Sequence, residues 1–524
     1  MPRLTIDGQS VETDAGATIL DAARRLGIHI PTLCFTPGCR PETSCFVCVV
    51  KVKDRAGLVP ACATKVADGM EVQSETPAIR EARRTALELL LSDHLGDCLA
   101  PCQLACPAAM NIPLMIRQIG AGNMREAIAT IKNDIALPAV LGRICAAPCE
   151  KACRRGDYDA PVAICLLKRH AADIDLSSAE PWLPVRPPAT GRRVAVVGAG
   201  PAGLAAAFHL LRAGHACSVF DSRDRPGGAL RDAVPADRLP RETLDAEIRI
   251  VERLGAEFRM GITVGRDIDF ETLVRDFHAV VVCTGEATSG DPAPFGLAAS
   301  AHGIAIDRAT QAASRAGVFA GGDAVRPTRM AVRSVADGKA AAASIHQYLS
   351  GVPVTGIPKP FSTHVGRLRD EEKTAFMGRA SPVARVAPAV PAAGLAPEEA
   401  RSEAARCLHC DCLRQSDCRL RDCSALYSAR PQHFKSQRRT FERAEEHPAV
   451  VYEAGKCIAC GLCVQITAEA KDAPGLAFVG RGFGARVRVP FRETMAAALA
   501  KSAAACVAAC PTGALAWKEG AKKP

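Results

Sequence analysis

The stretch VAVVGAGPAGLAAAFHLLRAGHACSVFD, residues 194–221, decides the fold of the central part of the chain. Its first apolar run ends in a G-x-G-x-x-G turn at Gly198, Gly200 and Gly203, a helical run follows, and a second apolar run closes at Asp221. This order predicts a β-α-β unit in which a helix N-terminus holds a pyrophosphate. A carboxylate at the end of the second strand can accept hydrogen bonds from a ribose, which favours an adenine dinucleotide without a 2'-phosphate.

Three later segments indicate, by their resemblance to a known family, which dinucleotide is bound. DRPGGALRDAVPADRLPRETLDAEI (224–248), HAVVVCTGE (278–286) and GVFAGGDAV (317–325) resemble the FAD-binding part of the glutamate synthase small subunit. The resemblance implies FAD, with Asp323 at its ribityl and pyrophosphate region. It implies cofactor contacts at Gly198, Gly200, Pro201, Ala202, Gly203, Asp221, Gly228, Arg231, Thr284, Gly285, Gly322 and Asp323.

The sequence departs from that family at the nicotinamide site. The family inserts a second Rossmann unit, which binds NADPH, between the T-G turn and the G-G-D strand. A β-α-β unit needs about 30 residues. Gly285 and Gly321 are only 36 residues apart, and the short strand GIAID already lies between them. We therefore expect no nicotinamide domain in this chain, and no oxidation or reduction of NAD(P) by the chain alone.

Cysteine usage is the second strong signal. The chain has 524 residues, 24 cysteines and a formal net charge of +10. Its first residues show no export signal, and no apolar run reaches the roughly 18 residues that a membrane span needs. We therefore expect a cytoplasmic protein whose thiols bind metal instead of forming disulfides. Aromatic residues make up 4% of the chain, which leaves few stacking surfaces for nucleic acid.

The first cysteine group follows a strand hairpin and an amphipathic helix. It has the spacing C-x10-C-x2-C-x13-C and consists of Cys34, Cys45, Cys48 and Cys62. Four thiolates in a wrapping loop suit a 2Fe-2S cluster. The pattern resembles the ferredoxin domain that opens the large iron-sulfur subunit of respiratory complex I, and its relatives in iron hydrogenases and formate dehydrogenases. A zinc site is the alternative, although zinc sites usually pair two short hooks.

The second group resembles the helical N-terminal domain of the glutamate synthase small subunit and of dihydropyrimidine dehydrogenase, which holds two interleaved 4Fe-4S clusters. The resemblance gives one cluster Cys98, Cys102 and Cys153, and the other Cys106, Cys145 and Cys149. The family's late non-cysteine ligand falls near Lys168 and Arg169, which do not ligate as cations. We expect His94 and Cys165 as the two fourth ligands, and a core histidine and a buried apolar cysteine are the alternatives.

A third group lies in the dense run CLHCDCLRQSDC. A hook of this density can close on one 4Fe-4S cluster without a distant ligand. The expected ligands are Cys407, Cys410, Cys412 and Cys418. A zinc knuckle is the alternative for this group.

A fourth group begins with the run CIACGLC. Cys457, Cys460 and Cys463 have the C-x2-C-x2-C spacing of a 4Fe-4S hook, whose fourth ligand must be remote. We choose Cys510 over Cys506, because the proline that follows Cys510 ends the local helix and presents the thiolate. The segments FVGRGFGARVRVPF and CPTGAL resemble the cluster-bearing part of the same complex I subunit.

These patterns predict a multidomain chain that combines α+β and α/β folds. The fold class changes near the proline-rich PWLPVRPP, and a second proline-rich stretch at 381–397 predicts an extended connection. The expected parts are a β-grasp 2Fe-2S ferredoxin domain (1–78), an α-helical double 4Fe-4S domain (79–175), an FAD-binding Rossmann-type domain (176–350), a linker (351–400) and a C-terminal 4Fe-4S region (401–524).

The expected function is electron transfer in a cytoplasmic oxidoreductase complex, through FAD, one 2Fe-2S cluster and about four 4Fe-4S clusters. The resemblance implies a catalytic partner subunit: a molybdenum- or tungsten-pterin dehydrogenase that oxidises formate or an aldehyde, or a hydrogenase. Ferredoxin, a quinone-linked subunit or an NAD-binding subunit are further possible partners. Two alternatives stay open: an NAD(P)H-dependent reductase of the glutamate synthase small-subunit type, and a non-catalytic scaffold with a relic FAD site. No acid-base or nucleophilic group stands out.

Overall fold

The structure, a computed structural model, describes residues 1–286, 294–434, 439–518 and 520–521. The chain forms two compact units, and neither is a continuous stretch of sequence. Unit 1 comprises Met1–Leu99, Pro360–Arg379 and Cys410–Pro524, and unit 2 comprises Ala100–Lys359 and Ala380–His409. The linear domain boundaries expected from the sequence therefore differ from the way the chain packs.

Unit 1 begins with a mixed five-stranded sheet and one short helix. The elements are β1 (Arg3–Ile6), β2 (Gln9–Glu12), α1 (Ile19–Arg25), β3 (Val49–Val52), β4 (Val59–Pro60) and β5 (Glu71–Gln73). The strand order is β2-β1-β5-β3-β4; β1 and β5 run parallel, and the other neighbours run antiparallel. A capping box begins α1, because the Thr18 hydroxyl accepts from the Asp21 amide and the Asp21 carboxylate accepts from the Thr18 amide.

Helix α2 (Pro77–Leu91) joins this sheet to the C-terminal part of unit 1. Its Arg83 is fully buried. The guanidinium donates to the Glu75 carboxylate (2.9 Å), the Tyr427 hydroxyl (2.7 Å) and the Val49 carbonyl (2.9 Å). Since a buried guanidinium is costly without such partners, these bonds hold three separate segments of unit 1 together.

Unit 2 opens with a helical part. Its helices are α3 (Pro101–Ala105), α4 (Ile112–Gly120), α5 (Met124–Lys132), α6 (Pro138–Ile144), α7 (Pro148–Lys151) and α8 (Ile164–Ser177). Four of them, α3, α4, α6 and α7, begin with a proline in the first turn, where the missing N–H has no helical partner to lose. The apolar residues of α4 recur at helical spacing and are buried in the core of unit 2.

A Rossmann-like part follows in the same unit. Its elements are β6 (Arg193–Val197), α9 (Pro201–Arg212), β7 (Ala216–Asp221), α10 (Ala229–Asp232), α11 (Arg241–Arg253), β8 (Ala256–Met260), α12 (Phe270–Asp276), β9 (Ala279–Val282), β10 (Ala299–Ser300), β11 (Gly303–Ile304), β12 (Val318–Ala320) and α13 (Ala331–Leu349). Five strands form a fully parallel sheet in the order β12-β9-β6-β7-β8, and β10 and β11 form a separate antiparallel pair. The β-α-β unit expected over 194–221 is present as β6, α9 and β7.

The helical and Rossmann-like parts of unit 2 are joined by a buried carboxylate. Glu247 of α11 accepts hydrogen bonds from the amides of Ala139 and Val140, both at 2.9 Å, in the first turn of α6. These amides have no partner inside their own helix, so Glu247 caps α6 from a neighbouring element.

The stretch expected to be a linker, 351–400, is divided between the units. It contains α14 (Asp370–Met377) in unit 1 and the start of α15 (Pro397–Ala404) in unit 2. Its proline-rich part has no helix, as the sequence predicts, but it packs on unit 2: the Val386 amide donates to Glu403 (2.7 Å), and the Leu395 carbonyl bonds to His170 (2.8 Å).

The C-terminal part of unit 1 consists of short elements. They are α16 (Arg419–Leu426), β13 (Arg443–Ala444), β14 (Val450–Glu453), α17 (Leu462–Glu469), β15 (Ala477–Val479), β16 (Arg486–Arg488), α18 (Met495–Ala498), α19 (Ala503–Ala509) and β17 (Leu515–Trp517). Strands β13, β14 and β17 form an antiparallel sheet, and β15 and β16 form a hairpin. In the described part of the chain, no helix combines the length and the apolar character that crossing a membrane requires.

Candidate functional site

The carboxyl ends of β6, β7 and β9 open onto a cavity of about 580 Å³ in unit 2. This is where doubly wound sheets bind their ligands, and the volume is that of a small-molecule site. Eight of the twelve cofactor contacts expected from the sequence line it: Gly200, Pro201, Ala202, Asp221, Gly228, Thr284, Gly285 and Asp323.

Three of the other four positions are glycines that do not line the cavity but allow close backbone contacts next to it. Gly198 has a φ of +106°, and a Cβ there would lie 2.2 Å from the Cys283 carbonyl oxygen. A Cβ on Gly203 would lie 1.8 Å from the Gly198 carbonyl oxygen. At Gly322, with a φ of +71°, it would lie 2.8 Å from Ala202. These positions therefore allow the turn to approach the neighbouring backbone, as the G-x-G-x-x-G pattern requires.

Arg231, the remaining expected contact, is not among the cavity-lining residues in the described part of the chain. Its guanidinium donates to the Pro226 carbonyl (2.9 Å) and pairs with Asp245. It fastens the loop before α10 to α11, because a buried guanidinium needs several acceptors and finds them there.

The cavity suits an anionic ligand. The first residues of α9 and of the longer helix α13 line it, so the positive ends of two helix dipoles face the same space. Arg223, Arg238 and Arg329 also line it, and sequence reasoning did not single them out. The one available signal was the position of Arg223, two residues after the end of β7 at Asp221.

The Asp221 carboxylate is buried at the end of β7 and already has two backbone partners. It accepts from the Ala199 amide (2.7 Å) and from the Arg223 amide (2.9 Å). These bonds fix the glycine turn against the second strand. A carboxylate has further lone pairs, so Asp221, which lines the cavity, can also accept from a ribose hydroxyl.

Four thiols meet beside this cavity, and we name them the helical thiol site: Cys106, Cys145, Cys149 and Cys165. The thiols of Cys145 and Cys165 are hydrogen-bonded, and Cys149 interacts with Cys165. Their link to the cavity is direct, since Ile144 lines the cavity and the next residue is Cys145.

A buried lysine lies within the helical thiol site. Lys168 is 3% exposed, and its Nζ lies 3.9 Å from the Cys165 sulfur. Burial acts to lower the pKa of Lys168, but the negative charges of the thiols, led by Cys165 and Cys145, outweigh burial and raise that pKa above its ordinary value. The hydrogen bond with Cys165, together with burial, raises the pKa of the Cys145 thiol, so Lys168 is the group in this site that favours negative charge on sulfur.

The N-terminal thiol site, in unit 1, consists of Cys34, Cys45, Cys48 and Cys62. All four are buried, and the sulfurs of Cys48 and Cys62 are 3.4 Å apart. A hydrogen bond from the Cys45 thiol lowers the pKa of Cys34 to about 6, and a bond from Cys62 lowers the pKa of Cys48. The same hydrogen bonds raise the pKa of Cys45 and of Cys62, so one thiol of each pair is favoured as the thiolate, the form that binds iron.

The C-terminal thiol site, also in unit 1, consists of Cys457, Cys460, Cys463 and Cys510. All four line one small apolar cavity, together with Tyr452 and Val487. Cys506 does not line that cavity; its thiol lies 3.7 Å from the Ser502 hydroxyl and 3.8 Å from the Cys463 carbonyl. The structure thus brings the remote Cys510, and not Cys506, to the three-cysteine hook.

The N-terminal and C-terminal thiol sites are neighbours within unit 1. The negative charge of Cys34 acts on the thiol of Cys460. The loop between the cysteines of the N-terminal site is tied to α17, since the Arg40 amide donates to the Gln465 side chain (2.8 Å), which donates back to the Arg40 carbonyl (3.1 Å). Cys34, Cys45 and Cys460 belong to the same buried core cluster.

A fourth group in unit 1 differs from the groupings expected from the sequence. The Cys412 amide donates to the Cys98 carbonyl (3.3 Å), and the charges of both cysteines act on Cys418, whose pKa burial raises to about 12. Four residues before Cys98, His94 is half-buried, and its buried Nδ1 atom has no hydrogen-bond partner among the described residues. Burial, followed by the charge of Lys456, lowers the pKa of His94 to about 4, so its imidazole is neutral.

Cys102, Cys153 and Cys407 lie in or against the core of unit 2. Cys153 and Cys407 are drawn together because Arg155 donates to the Arg406 carbonyl (3.1 Å). Cys410 belongs to unit 1. The expected sets of Cys98 with Cys102 and Cys153, and of Cys407 with Cys410, Cys412 and Cys418, stay predictions; the contacts within each unit favour a different division. The reason is that the chain leaves unit 1 after Leu99, returns to it at Pro360–Arg379, and enters it again only at Cys410.

Within the described residues, no three side chains of His, Cys, Asp or Glu are arranged to hold a single metal ion. The ligands of an iron-sulfur cluster do not converge on one ion, because each iron atom binds its own thiolate and inorganic sulfide lies between the iron atoms.

Three parts of the sequence match known domain families. Residues 2–77 match the 2Fe-2S iron-sulfur cluster binding domain, residues 63–180 match dihydropyrimidine dehydrogenase domain II with its 4Fe-4S cluster, and residues 196–257 match the NAD(P)-binding Rossmann-like domain. With the thiol sites and the cavity, these matches define an iron-sulfur protein with a Rossmann-like FAD/NAD(P)-type domain, of the kind found in oxidoreductase subunits.

Three curated proteins are similar to part of this chain. The NADP(+)-dependent formate dehydrogenase subunit beta of Moorella thermoacetica is 38% identical over 207 residues, which is 36% of this chain and 29% of that protein. The glutamate synthase [NADPH] small chain of Mycobacterium tuberculosis is 42% identical over 192 residues, 36% of this chain and 39% of that protein. The NADPH-Fe(3+) oxidoreductase subunit beta of Geobacter sulfurreducens is 37% identical over 190 residues, 36% of this chain and 28% of that protein. The chain thus spans well under half the length of these relatives.

Proposed function

We propose that this chain is an electron-transfer subunit of a larger oxidoreductase. One observation carries the proposal: Ile144 lines the cavity and Cys145, the next residue, belongs to the helical thiol site, so the two sites meet at the end of helix α6. When bound, FAD exchanges one or two electrons, and each iron-sulfur cluster carries one. The chain's own contribution is to hold these groups side by side, away from water.

The residues present fit the proposed cofactors. The N-terminal thiol site, in a β-grasp domain, offers four buried thiols for the 2Fe-2S cluster. The helical and C-terminal thiol sites offer four cysteines each for 4Fe-4S clusters. In these assignments Cys165 and Cys510 are the fourth ligands, as the sequence predicts.

A further 4Fe-4S cluster in unit 1 fits His94, Cys98, Cys412 and Cys418. The support is the unpartnered buried Nδ1 of His94, together with the contacts among the three cysteines. A neutral imidazole is the form of histidine that binds metal. Cys102, Cys153 and Cys407 would then serve another 4Fe-4S cluster in unit 2, which keeps the number of such clusters at about four.

Replacement of one ligand tests the relay between cavity and cluster. In Cys145→Ser we expect FAD to stay bound and the 4Fe-4S signal of the helical thiol site to be lost from electron paramagnetic resonance (EPR) spectra. Photoreduction of the flavin should then no longer be followed by rapid reduction of the remaining unit 2 clusters in freeze-quenched samples.

Cys217→Ser is the matched control, because Cys217 is a buried cysteine of β7 that belongs to none of the thiol sites. It should keep every signal and the wild-type kinetics. A Cys145→Ser protein with the complete set of cluster signals would refute the ligand assignment, and an unchanged transfer rate despite the lost signal would refute the relay.

The catalytic partner is proposed by analogy to be a molybdenum- or tungsten-pterin dehydrogenase or a hydrogenase, and the location to be cytoplasmic, where thiols stay reduced. Formate dehydrogenase is named among the relatives. Anaerobic co-purification from the source organism, followed by identification of the attached chains and assay of formate oxidation, tests this part separately.

A second candidate is an NAD(P)H-dependent reductase, because the names of the three relatives include NADP(+) or NADPH. Against it, the segment between β9 and β12 contains only the β10–β11 pair and short turns among its described residues, and 287–293 lie outside the described residues. The spacing argument from the sequence therefore keeps electron transfer as the leading function.

A further inference from the structure

The β15–β16 hairpin and the turn after it form an exposed basic and aromatic surface. Residues 477–492 read AFVGRGFGARVRVPFR, with four arginines, three phenylalanines and no acidic residue. The side chains of Phe478, Phe483 and Phe491 are 50%, 52% and 89% exposed. Large aromatic side chains are rarely left in water to this extent on a surface that contacts nothing.

The opposite face of the same hairpin lies against the C-terminal thiol site. Side chains alternate along β16, so Arg486 and Arg488 point away from Val487, which is 1% exposed and lines the cavity of Cys457, Cys460, Cys463 and Cys510. Phe478 pairs with Val487 and lies at the exposed part of the Val487 face, whereas Val479 lies on the face of the two arginines. The Tyr452 hydroxyl, from the same cavity wall, donates to the Val487 carbonyl (2.7 Å). A single strand thus separates the exposed surface from the thiols.

Two of the four arginines are bonded within the chain, and the other two are exposed and can bind a partner. Arg486 donates to the carbonyls of Phe483 (2.7 Å) and Ala485 (2.8 Å), which stiffens the loop, and Arg488 pairs with Glu442. Arg481 and Arg492 are exposed and have no ion pair with any residue in the described ranges. Uncompensated guanidinium groups beside exposed aromatic rings are typical of binding surfaces that are free of their partner.

We propose that this surface, residues 477–492, docks an acidic protein that carries one electron at a time. The inference rests on the proposed function, because it requires a cluster at the C-terminal thiol site. In the docked pair one electron moves between the carrier and that cluster: whichever of the two is oxidised loses one electron, the other gains it, and no bond forms or breaks.

The observations favour a redox protein over other anionic partners. Nucleic acid or an anionic membrane would also be attracted by the arginines, but neither would use the thiol site one strand behind them. An acidic carrier uses both features, since the arginines steer its approach and the phenylalanines make the short-lived apolar contact.

The test measures reduction of the full-length, cluster-loaded protein by a reduced plant-type 2Fe-2S ferredoxin, a small acidic carrier, in anaerobic stopped flow. For the wild type we expect a second-order rate constant that falls as salt is raised. The Arg481→Glu, Arg492→Glu double variant should react about tenfold more slowly at low salt and should lose the salt dependence. Phe491→Ala should slow the reaction at all salt concentrations.

The matched control is the Arg3→Glu, Arg55→Glu double variant, which makes the same change in net charge at exposed positions of the N-terminal sheet. It should react like the wild type. Equal slowing by both double variants, or a wild-type rate without salt dependence, would overturn the docking surface. The docking surface would also be overturned if a DNA duplex or an anionic vesicle bound through Arg481 and Arg492 while the double variant reacted with ferredoxin at the wild-type rate.

Failure of the proposed function would look different. In that case the wild type would lack the EPR signal of the C-terminal cluster even after chemical reduction with dithionite. If that signal is present and the Arg481→Glu, Arg492→Glu protein still reacts at the wild-type rate, only the docking surface is refuted.

Discussion

Lys168 is a buried cation that faces sulfur. Two other buried lysines, Lys132 and Lys456, have carboxylate partners: Lys132 donates to Asp175 at 2.7 Å, and Lys456 pairs with Glu453. Among the described residues, Lys168 has no carboxylate partner, and the charges that compensate it belong to the helical thiol site. Burial of an ammonium group costs several kcal/mol unless nearby negative charge compensates it, so the lysine and a thiolate-bound cluster stabilise each other.

We expect Lys168→Met to lower the reduction potential of the cluster in the helical thiol site. A nearby positive charge favours the reduced, more negative state of the cluster, and its removal disfavours that state. The ratio of oxidised to reduced cluster at a fixed potential should rise about tenfold, equivalent to about 59 mV for one electron. An EPR-monitored redox titration measures the shift.

Two variants control for packing and for distance from the charge. Lys168→Arg keeps the charge and should keep the potential near that of the wild type. Lys151→Met removes an exposed lysine two residues from Cys149, where solvent screens the charge, and should leave the potential unchanged. A Lys168→Met protein with normal cluster content and an unchanged potential would contradict the tuning role.

Glu247 makes the folding stability of unit 2 depend on pH. Burial raises the pKa of this carboxyl to about 7 from an ordinary value of 4.5, even though two amides donate to it. The folded state therefore binds more protons than the unfolded state between these two values. Stability from this group is fully present below the ordinary pKa, and it is lost as pH rises through the folded pKa, by at most ~1.4 kcal/mol per pH unit.

We expect Glu247→Gln to flatten the fall in thermal stability of the wild type between about pH 5 and about pH 7. Far-UV circular dichroism of the cluster-loaded protein, recorded as a melting curve at each pH, measures it. Glu252→Gln, an exposed position on the same helix, should leave the slope as in the wild type. A variant with the wild-type slope would show that another group causes the pH dependence.

Helix α19 and the residue after it decide which of two cysteines reaches the C-terminal hook. Cys506 lies inside α19 and faces Ser502, and Cys510 caps the helix with extended backbone (ψ 121°) just before Pro511. Because proline cannot continue the helix, the chain turns at Cys510 and brings its sulfur into the cavity of the other three cysteines.

Cys510→Ser should therefore abolish one 4Fe-4S signal and lower the iron content by about four atoms per chain. Cys506→Ser is the matched control, since it changes a buried cysteine one helical turn away and should keep both the signal and the iron. Iron analysis and EPR of the anaerobically purified proteins measure these outcomes. Loss of the cluster in Cys506→Ser together with its retention in Cys510→Ser would show that Cys506, and not Cys510, is the fourth ligand.

At the level of the complete chain, the described residues contain one parallel sheet with one glycine-rich dinucleotide turn. If that turn holds FAD, the described residues contain no second dinucleotide turn from which a nicotinamide could pass hydride to the flavin. We therefore expect the flavin absorbance of the anaerobic protein to persist on mixing with excess NADPH or NADH and to bleach with dithionite. Rapid bleaching by NADPH would contradict this expectation and support the NADPH-dependent reductase.

The amino-acid sequence by itself determined the local chemistry of this protein. The G-x-G-x-x-G turn, the N-terminal thiol site (Cys34, Cys45, Cys48 and Cys62) and the hook at Cys457 are short patterns whose spacing is fixed by turn and loop geometry. The choice of Cys510 belongs here too, because the proline after it acts on its immediate neighbours. Such features depend on residues close in the chain, so they can be derived before the fold is known.

Only the tertiary structure decided which distant residues meet. Cys98 contacts Cys412 because the chain interrupts unit 1 with nearly all of unit 2, a path that no local spacing records. The burial of Lys168, the position of Ile144 between cavity and thiols, and the two faces of the β15–β16 hairpin are likewise results of packing. Local propensity cannot supply them, because burial and long-range contact depend on what the rest of the chain places next to each residue.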